Sequence, residues 1–158
     1  MSLAAAEART ATDLSSLSGI EFLRAMKAAG AGAPIAKTLG FTLTEIEDGR
    51  VVFEGTPTHA VYNPIGTVHG GYAATLLDSA CGCAVHSKLG PGWGYTTLEL
   101  KVAYHRAITV GTGPVRAEGR VITMGRRAAF TEATLTDAAG KLYASATSSL
   151  LVMAPAGT

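Results

Sequence analysis

The stretch HGGYAATLLDSACGCAVHSK, from His69 to Lys88, constrains this chain more than any other. Its residues are small or apolar on nearly every side, so it cannot be a surface helix with one buried stripe; a helix of this kind has to be surrounded. It would be about 30 Å long. The segments after the GPGWG break read as strands: TTLELKVAYHRAI, PVRAEGRVITM, AAFTEATLTD and KLYASATSSLLVM, with turns at Gly125-Arg126-Arg127 and Ala138-Ala139-Gly140. In the first of them Leu98, Leu100, Val102 and Tyr104 alternate with Thr97, Glu99, Lys101 and Ala103, the period of two of a half-buried strand with the former set inward. Strands of about twelve residues reach about 40 Å, longer than the helix, and a twisting sheet of that length can curl around it.

Upstream, Ser18-Gly19-Ile20-Glu21 has the form of a capping box, and Phe22, Leu23 and Met26 give a short N-terminal helix one apolar stripe. Gly30, Gly32 and Pro34 are expected to end it. FTLTEIEDGRVVFEGTP reads as a hairpin turning at Asp48-Gly49. A proline-containing loop, His59 to Val68, then leads into the long helix. One hairpin, one helix and a run of antiparallel strands is an α+β order and not an alternating βαβ one.

At 158 residues the chain fits one domain, expected over 18–153 between a flexible segment (1–17) and a tail (154–158). A net charge of +1 offers no electrostatic case for nucleic acid. Glu7, Arg9 and Asp13 interrupt any secretory signal, and Pro57, Asn63 and Pro64 break the longest charge-free run, Gly55 to Leu77, so the expectation is a cytoplasmic protein with no membrane partner. Cys81 and Cys83, two apart on a helix, point to different faces and suit neither a disulfide nor a shared metal. His59, His69, His86 and His105 lack ligand spacing, so no metal or cofactor is expected.

Within the long helix Asp78 is anomalous: one turn away stand only Ala74, Thr75, Cys81 and Gly82. A buried carboxylate without a partner costs several kcal/mol, on the order of a large fraction of a domain's stability. Either Asp78 faces solvent or a distant arginine, or it does chemistry. The helix start, His69-Gly70-Gly71, offers unpartnered N–H groups that glycine leaves open to a ligand oxygen, as in an oxyanion hole; tight helix–sheet packing would call for the same glycines. Gly70 and Asp78 lie roughly 12 Å apart along the axis, too far for one carbonyl to touch both. Joint action therefore implies a dimer with two equivalent sites at its interface. Asn63 before Pro64 can orient a water or carbonyl, or simply form a turn; His69 can cap the helix.

Together, Asn63-Pro64-x-Gly66-x-x-His69-Gly70-Gly71 and Asp78 resemble the hotdog-fold acyl-CoA thioesterases of the phenylacetate-pathway (PaaI-like) type, a similarity running from about Ile35 to Met153. The resemblance implies a hotdog fold, a long central helix wrapped by a curled antiparallel sheet of five to six strands. It also implies a homodimer, often paired into a homotetramer, and hydrolysis of an acyl-CoA thioester. It makes Asp78 the catalytic carboxylate, as general base or nucleophile, and the Gly70 N–H the oxyanion donor from the opposite subunit. Asn63 and His69 become positioning residues, Thr97 (or Thr96, one residue earlier) the assisting hydroxyl, and Gly71 a further substrate contact. Arg126-Arg127 match the region that meets coenzyme A phosphates, with Arg106 and Lys88 as secondary cations. Tyr62, Tyr72 and Trp93 are candidate liners of an acyl pocket. A hotdog acyl-thioester dehydratase and a non-catalytic acyl-CoA-binding module are the competing readings.

Overall fold

The computed structural model describes residues 16–155, so the flexible segment expected over 1–17 and the tail expected over 154–158 lie mostly outside the described residues. Helix α1 (Gly19–Ala28) begins at the expected capping box, the Ser18 N–H donating to Glu21 Oε2 at 2.9 Å. A second short helix, α2 (Pro34–Leu39), follows where the sequence suggested only a break. Pro34 ends nothing: at the first helical position its missing N–H is not needed. Then come β1 (Phe41–Glu47) and β2 (Arg50–Gly55), paired through the Asp48-Gly49 turn with Gly49 at φ 74°, as its residue type predicts.

The long helix, α3, runs Gly70–His86, slightly shorter than the expected His69–Lys88. Strands β3 (Gly94–Tyr104), β4 (Val115–Met124), β5 (Ala128–Asp137) and β6 (Leu142–Met153) complete one antiparallel sheet of order β1-β2-β4-β5-β6-β3. Its concave side packs on α3 through β2 to β6, burying Leu76, Leu77, Ala80, Cys81, Ala84 and Val85 completely. This is the hotdog arrangement, with six strands. Close approach depends on Gly119 of β4: a Cβ there would stand 2.3 Å from the Ala80 carbonyl carbon.

Two details depart from expectation. The helix is not enclosed on every side, because Gly71 is exposed and Ala74, Thr75, Asp78 and Ser79 are only half-buried, forming one open stripe. In β3 the inward set is also different. Thr97 pairs with Leu150 and Glu99 with Ser149, so Leu98 is an extra, bulged residue and 63% exposed. The bulge reverses the alternation. Tyr95 and Thr97 precede it on the helix side, Leu100 and Val102 follow it there, and Leu98 points away.

The two sheet edges are treated differently. The β1 edge is packed by α1, whose Lys27 ammonium donates to the Thr44 carbonyl, whereas β3 has a strand on one side only. Across β1, β2 and β4, Glu45 accepts from Arg116 and Arg50, and Arg50 reaches Glu47 at 2.8 Å and Glu118 at 3.1 Å. Hydrogen bonds from Arg116 and then Arg50 hold the Glu45 carboxyl at about 2.

Gly119→Ala is expected to lower unfolding free energy by about 1–3 kcal/mol through overpacking against α3, read as a lower urea midpoint at unchanged slope. Glu45 contributes stability above its unfolded value of 4.5 that is lost as pH falls toward about 2. Accordingly Glu45→Gln should lower the melting temperature at neutral pH modestly, by about 1 kcal/mol or less in stability. The gap to the parent protein should close between pH 4.5 and about 2 in a pH series of melts.

Candidate active site at the head and middle of the central helix

His69 stands at the cap position of α3 in extended backbone, and its Nδ1 accepts the Gly71 N–H at 2.8 Å. The Gly70 N–H, one position earlier, has no acceptor among the described residues. Over Gly70 lies the ring of Tyr104, from the far end of β3, with its hydroxyl donating to the Gly70 carbonyl at 2.9 Å. A Cβ on Gly70 would sit 3.0 Å from the Tyr104 Cζ, and one on Gly71 2.9 Å from His69 Nδ1. At both glycines a side chain would crowd Tyr104 or His69, while the Gly70 N–H stays free. A cleft of about 330 Å³ opens here, rimmed by His69, Tyr104, His105 and Arg106 above Val68, Ala73 and Ile108. Arg106 donates to the Leu142 carbonyl at 2.6 Å, and His105 Nε2 lies 2.9 Å from Ser145 Oγ.

Two turns further on, Asp78 occupies the open stripe. Its Oδ1 accepts from Thr97 Oγ1 at 3.0 Å, and no ion pair among the described residues involves it. Because of the β3 bulge Thr97 points at the helix, while Thr96 is exposed. The distant-arginine explanation for Asp78 is thereby removed, and its hydrogen bond to Thr97 leaves the second carboxylate oxygen available. Beyond Asp78 the Tyr95 ring covers Gly82 and contacts His86, with ring centroids 5.5 Å apart. Burial pushes the thiols of Cys81 and Cys83 up to about 11, so neither supplies a thiolate nucleophile near neutrality.

The remaining candidates are dispersed. Asn63 closes its own loop: Oδ1 accepts from the N–H groups of Ile65 (3.2 Å) and Thr67 (3.1 Å), and Nδ2 donates to Thr67 Oγ1 at 2.9 Å. That leaves one amide hydrogen for any other contact. Arg126 and Arg127 are exposed on the β4–β5 turn, with no side-chain acceptor among the described residues. Lys88 is engaged with Asp48 at 2.7 Å. Tyr72 is buried with its hydroxyl against Gly55, and Tyr62 accepts from the Val110 N–H at 2.8 Å. Trp93 is partly exposed beyond the end of α3. None of these three meets Asp78.

Sequence reading missed Tyr104, His105 and Arg106 as a group. Tyr104 looked like one more inward strand position, and its only local signal was that it closes the alternating pattern.

Residues 65–144 match the family model for the thioesterase superfamily. Human acyl-coenzyme A thioesterase 13 is 32% identical over 106 residues, which are 65% of this chain and 73% of that protein. A phenylacetic acid degradation-related protein of Ralstonia eutropha is 28% identical with a TM-score of 0.73, over 82% of this chain and 98% of that one. A Streptococcus mutans protein, solved bound to acetyl-CoA, is 26% identical with a TM-score of 0.67, over 73% and 90% of the two chains.

With thiols raised to about 11, iodoacetamide at pH 8 should leave both Cys81 and Cys83 largely unmodified in the native protein and label both in concentrated urea, as read by mass spectrometry. Rapid native labelling of either would contradict the burial argument.

Proposed function

The chain belongs to the thioesterase superfamily and is a thioester hydrolase; we propose that it hydrolyses acyl-CoA and that Asp78 and the Gly70 N–H act on one thioester from two different subunits. The observation that carries this reading is the position of both groups along β3, the uncovered edge strand. Thr97, near one end, holds Asp78, and Tyr104, at the other end, holds Gly70. Antiparallel pairing of two β3 edges about a two-fold axis near Leu100–Lys101 would set Thr97 of one chain beside Tyr104 of the partner subunit. The carboxylate then meets the foreign helix start. The same register would bring the exposed stretch of β3 that carries Leu98 and Tyr104, 63% and 55% exposed in the single chain, into the interface. It also turns the open stripe of α3 toward the partner's helix.

In that frame the chemistry needs no added cofactor. The thioester carbonyl oxygen accepts the Gly70 N–H, a donor fixed in advance at a helix start where partial positive charge resides. Asp78, held by Thr97, either takes a proton from a water that attacks the carbonyl carbon or attacks that carbon itself, the resulting anhydride being opened by water. In both routes negative charge builds on the oxygen facing Gly70, the C–S bond breaks, and the thiolate leaves to be protonated. The products are the free acid and coenzyme A.

Sheet register suits the rest of the substrate. Thr96 pairs with Leu151 and Leu151 with Ala128, so Arg127 begins at the same level two strands away, about 10 Å across the sheet. In this reading its guanidinium and that of Arg126 would meet coenzyme A phosphates, for which arginine provides paired donors. Pairing two dimers into a tetramer is part of the same proposal. No helix among the described residues is long and apolar enough to cross a membrane, both cysteines are free, and the proposed location is the cytoplasm. The dehydratase reading needs a histidine as the acid–base group; His69 accepts the Gly71 N–H through Nδ1 as the helix cap, which leaves only its Nε2 for such a role.

Asp78→Asn should leave dimer formation and melting temperature in place and lower the rate of thiol release from acyl-CoA esters by about 10²–10⁴-fold. Near-normal turnover would remove Asp78 from the chemistry. Tight binding by the parent protein without thiol release from any ester would make the protein a binding module.

A further inference from the structure

Two consecutive glycines are the least rigid way to begin a helix, since each gives up more backbone freedom than any other residue on being ordered. A donor that must meet developing charge needs the opposite, a fixed direction. In α3 the peptide between Gly70 and Gly71 is held at both ends. His69 Nδ1 takes its N–H at 2.8 Å, and the Tyr104 hydroxyl donates to its C=O at 2.9 Å. The Tyr104 ring also lies against the Gly70 Cα, where a Cβ would be 3.0 Å away. With that peptide plane pinned, the free N–H of Gly70, on the preceding peptide, is tied to it through only the two torsions of Gly70, φ and ψ.

Resting on the acyl-CoA hydrolase reading above, we infer that Tyr104 is a positioning residue of the hydrolysis, which orients the Gly70 N–H by clamping the Gly70 carbonyl. Tyr104 closes β3 and is 55% exposed in the single chain, on the strand that the proposed dimer pairs. Dimer contact and donor orientation therefore converge on one side chain. The inference gives the helix start its rigidity from outside the helix, by a residue 34 positions away in the sequence.

The test compares Tyr104→Phe and Tyr104→Leu with the parent protein in steady-state thiol release, with Asp78→Asn in the same assay. Phenylalanine keeps the ring over Gly70 and removes the hydroxyl. Losing one such hydrogen bond should lower kcat about three- to tenfold. KM should stay within about twofold, because an interaction made in the transition state is lost and uniform binding is not. The leucine variant should lose more. Sedimentation should show the same dimer, and hydrogen exchange of the peptide covering residues 68–76 should be faster in Tyr104→Phe, which reports loosening of the first turn even where a variant is poorly active. An unchanged kcat with unchanged exchange would overturn the inference. So would a raised KM at unchanged kcat, which would make Tyr104 a substrate contact. If Asp78→Asn keeps full turnover, the reading of the whole site falls; if Asp78→Asn is inactive while Tyr104→Phe is normal, only the role of Tyr104 falls.

Discussion

In the proposed mechanism a single helix carries both halves of the chemistry, and it cannot bring them together. The start of α3 offers peptide donors, its middle offers a carboxylate, and the two are roughly 12 Å apart along a rigid axis. Everything distinctive in the structure answers that separation. The sheet encloses the helix except along one stripe, the stripe contains Asp78, and the strand beside it is the edge that lacks a neighbour. A long uncovered edge with exposed Leu98 and Tyr104 is a liability in a lone chain and an interface in a symmetric pair.

The contrast between the sheet's two ends is informative in this respect. On the β1 side a helix and the Lys27 ammonium occupy the edge, and the neighbouring carboxylates and arginines form a closed ionic network. On the β3 side only β6 provides strand pairing. The bulge at Leu98 contributes to both structure and site: it turns Thr97 inward to Asp78 and turns an apolar side chain outward to the free edge.

Much of this was legible in the residues. The apolar run of α3 demanded a wrapping sheet, Asp48-Gly49 marked a hairpin, and the glycine and carboxylate positions stood out because an ordinary core would not contain them. What stayed hidden depends on pairing between distant segments. The β3 bulge comes from registration with β6, and nothing within TTLELKVAY announces it, so the inward face of that strand was read with Leu98 in place of Thr97. Helix α2 was missed because Pro34 between glycine-rich residues looks like a terminator, although a helix accepts proline at its first position. Tyr104 could not be recognised because α3 and β3 run in opposite directions, which returns the end of the strand to the start of the helix.

The shared site is most directly tested by mixing two defective proteins. Asp78→Asn lacks the carboxylate, and Gly70→Val displaces the Tyr104 clamp and blocks the donor. Each alone should be inactive. If one site draws on both subunits, random subunit exchange leaves half the molecules as heterodimers with one intact site each, and about a quarter of the parent activity returns. A mixture that exchanges subunits and stays as inactive as its components would show that the two groups never face the same thioester across the interface.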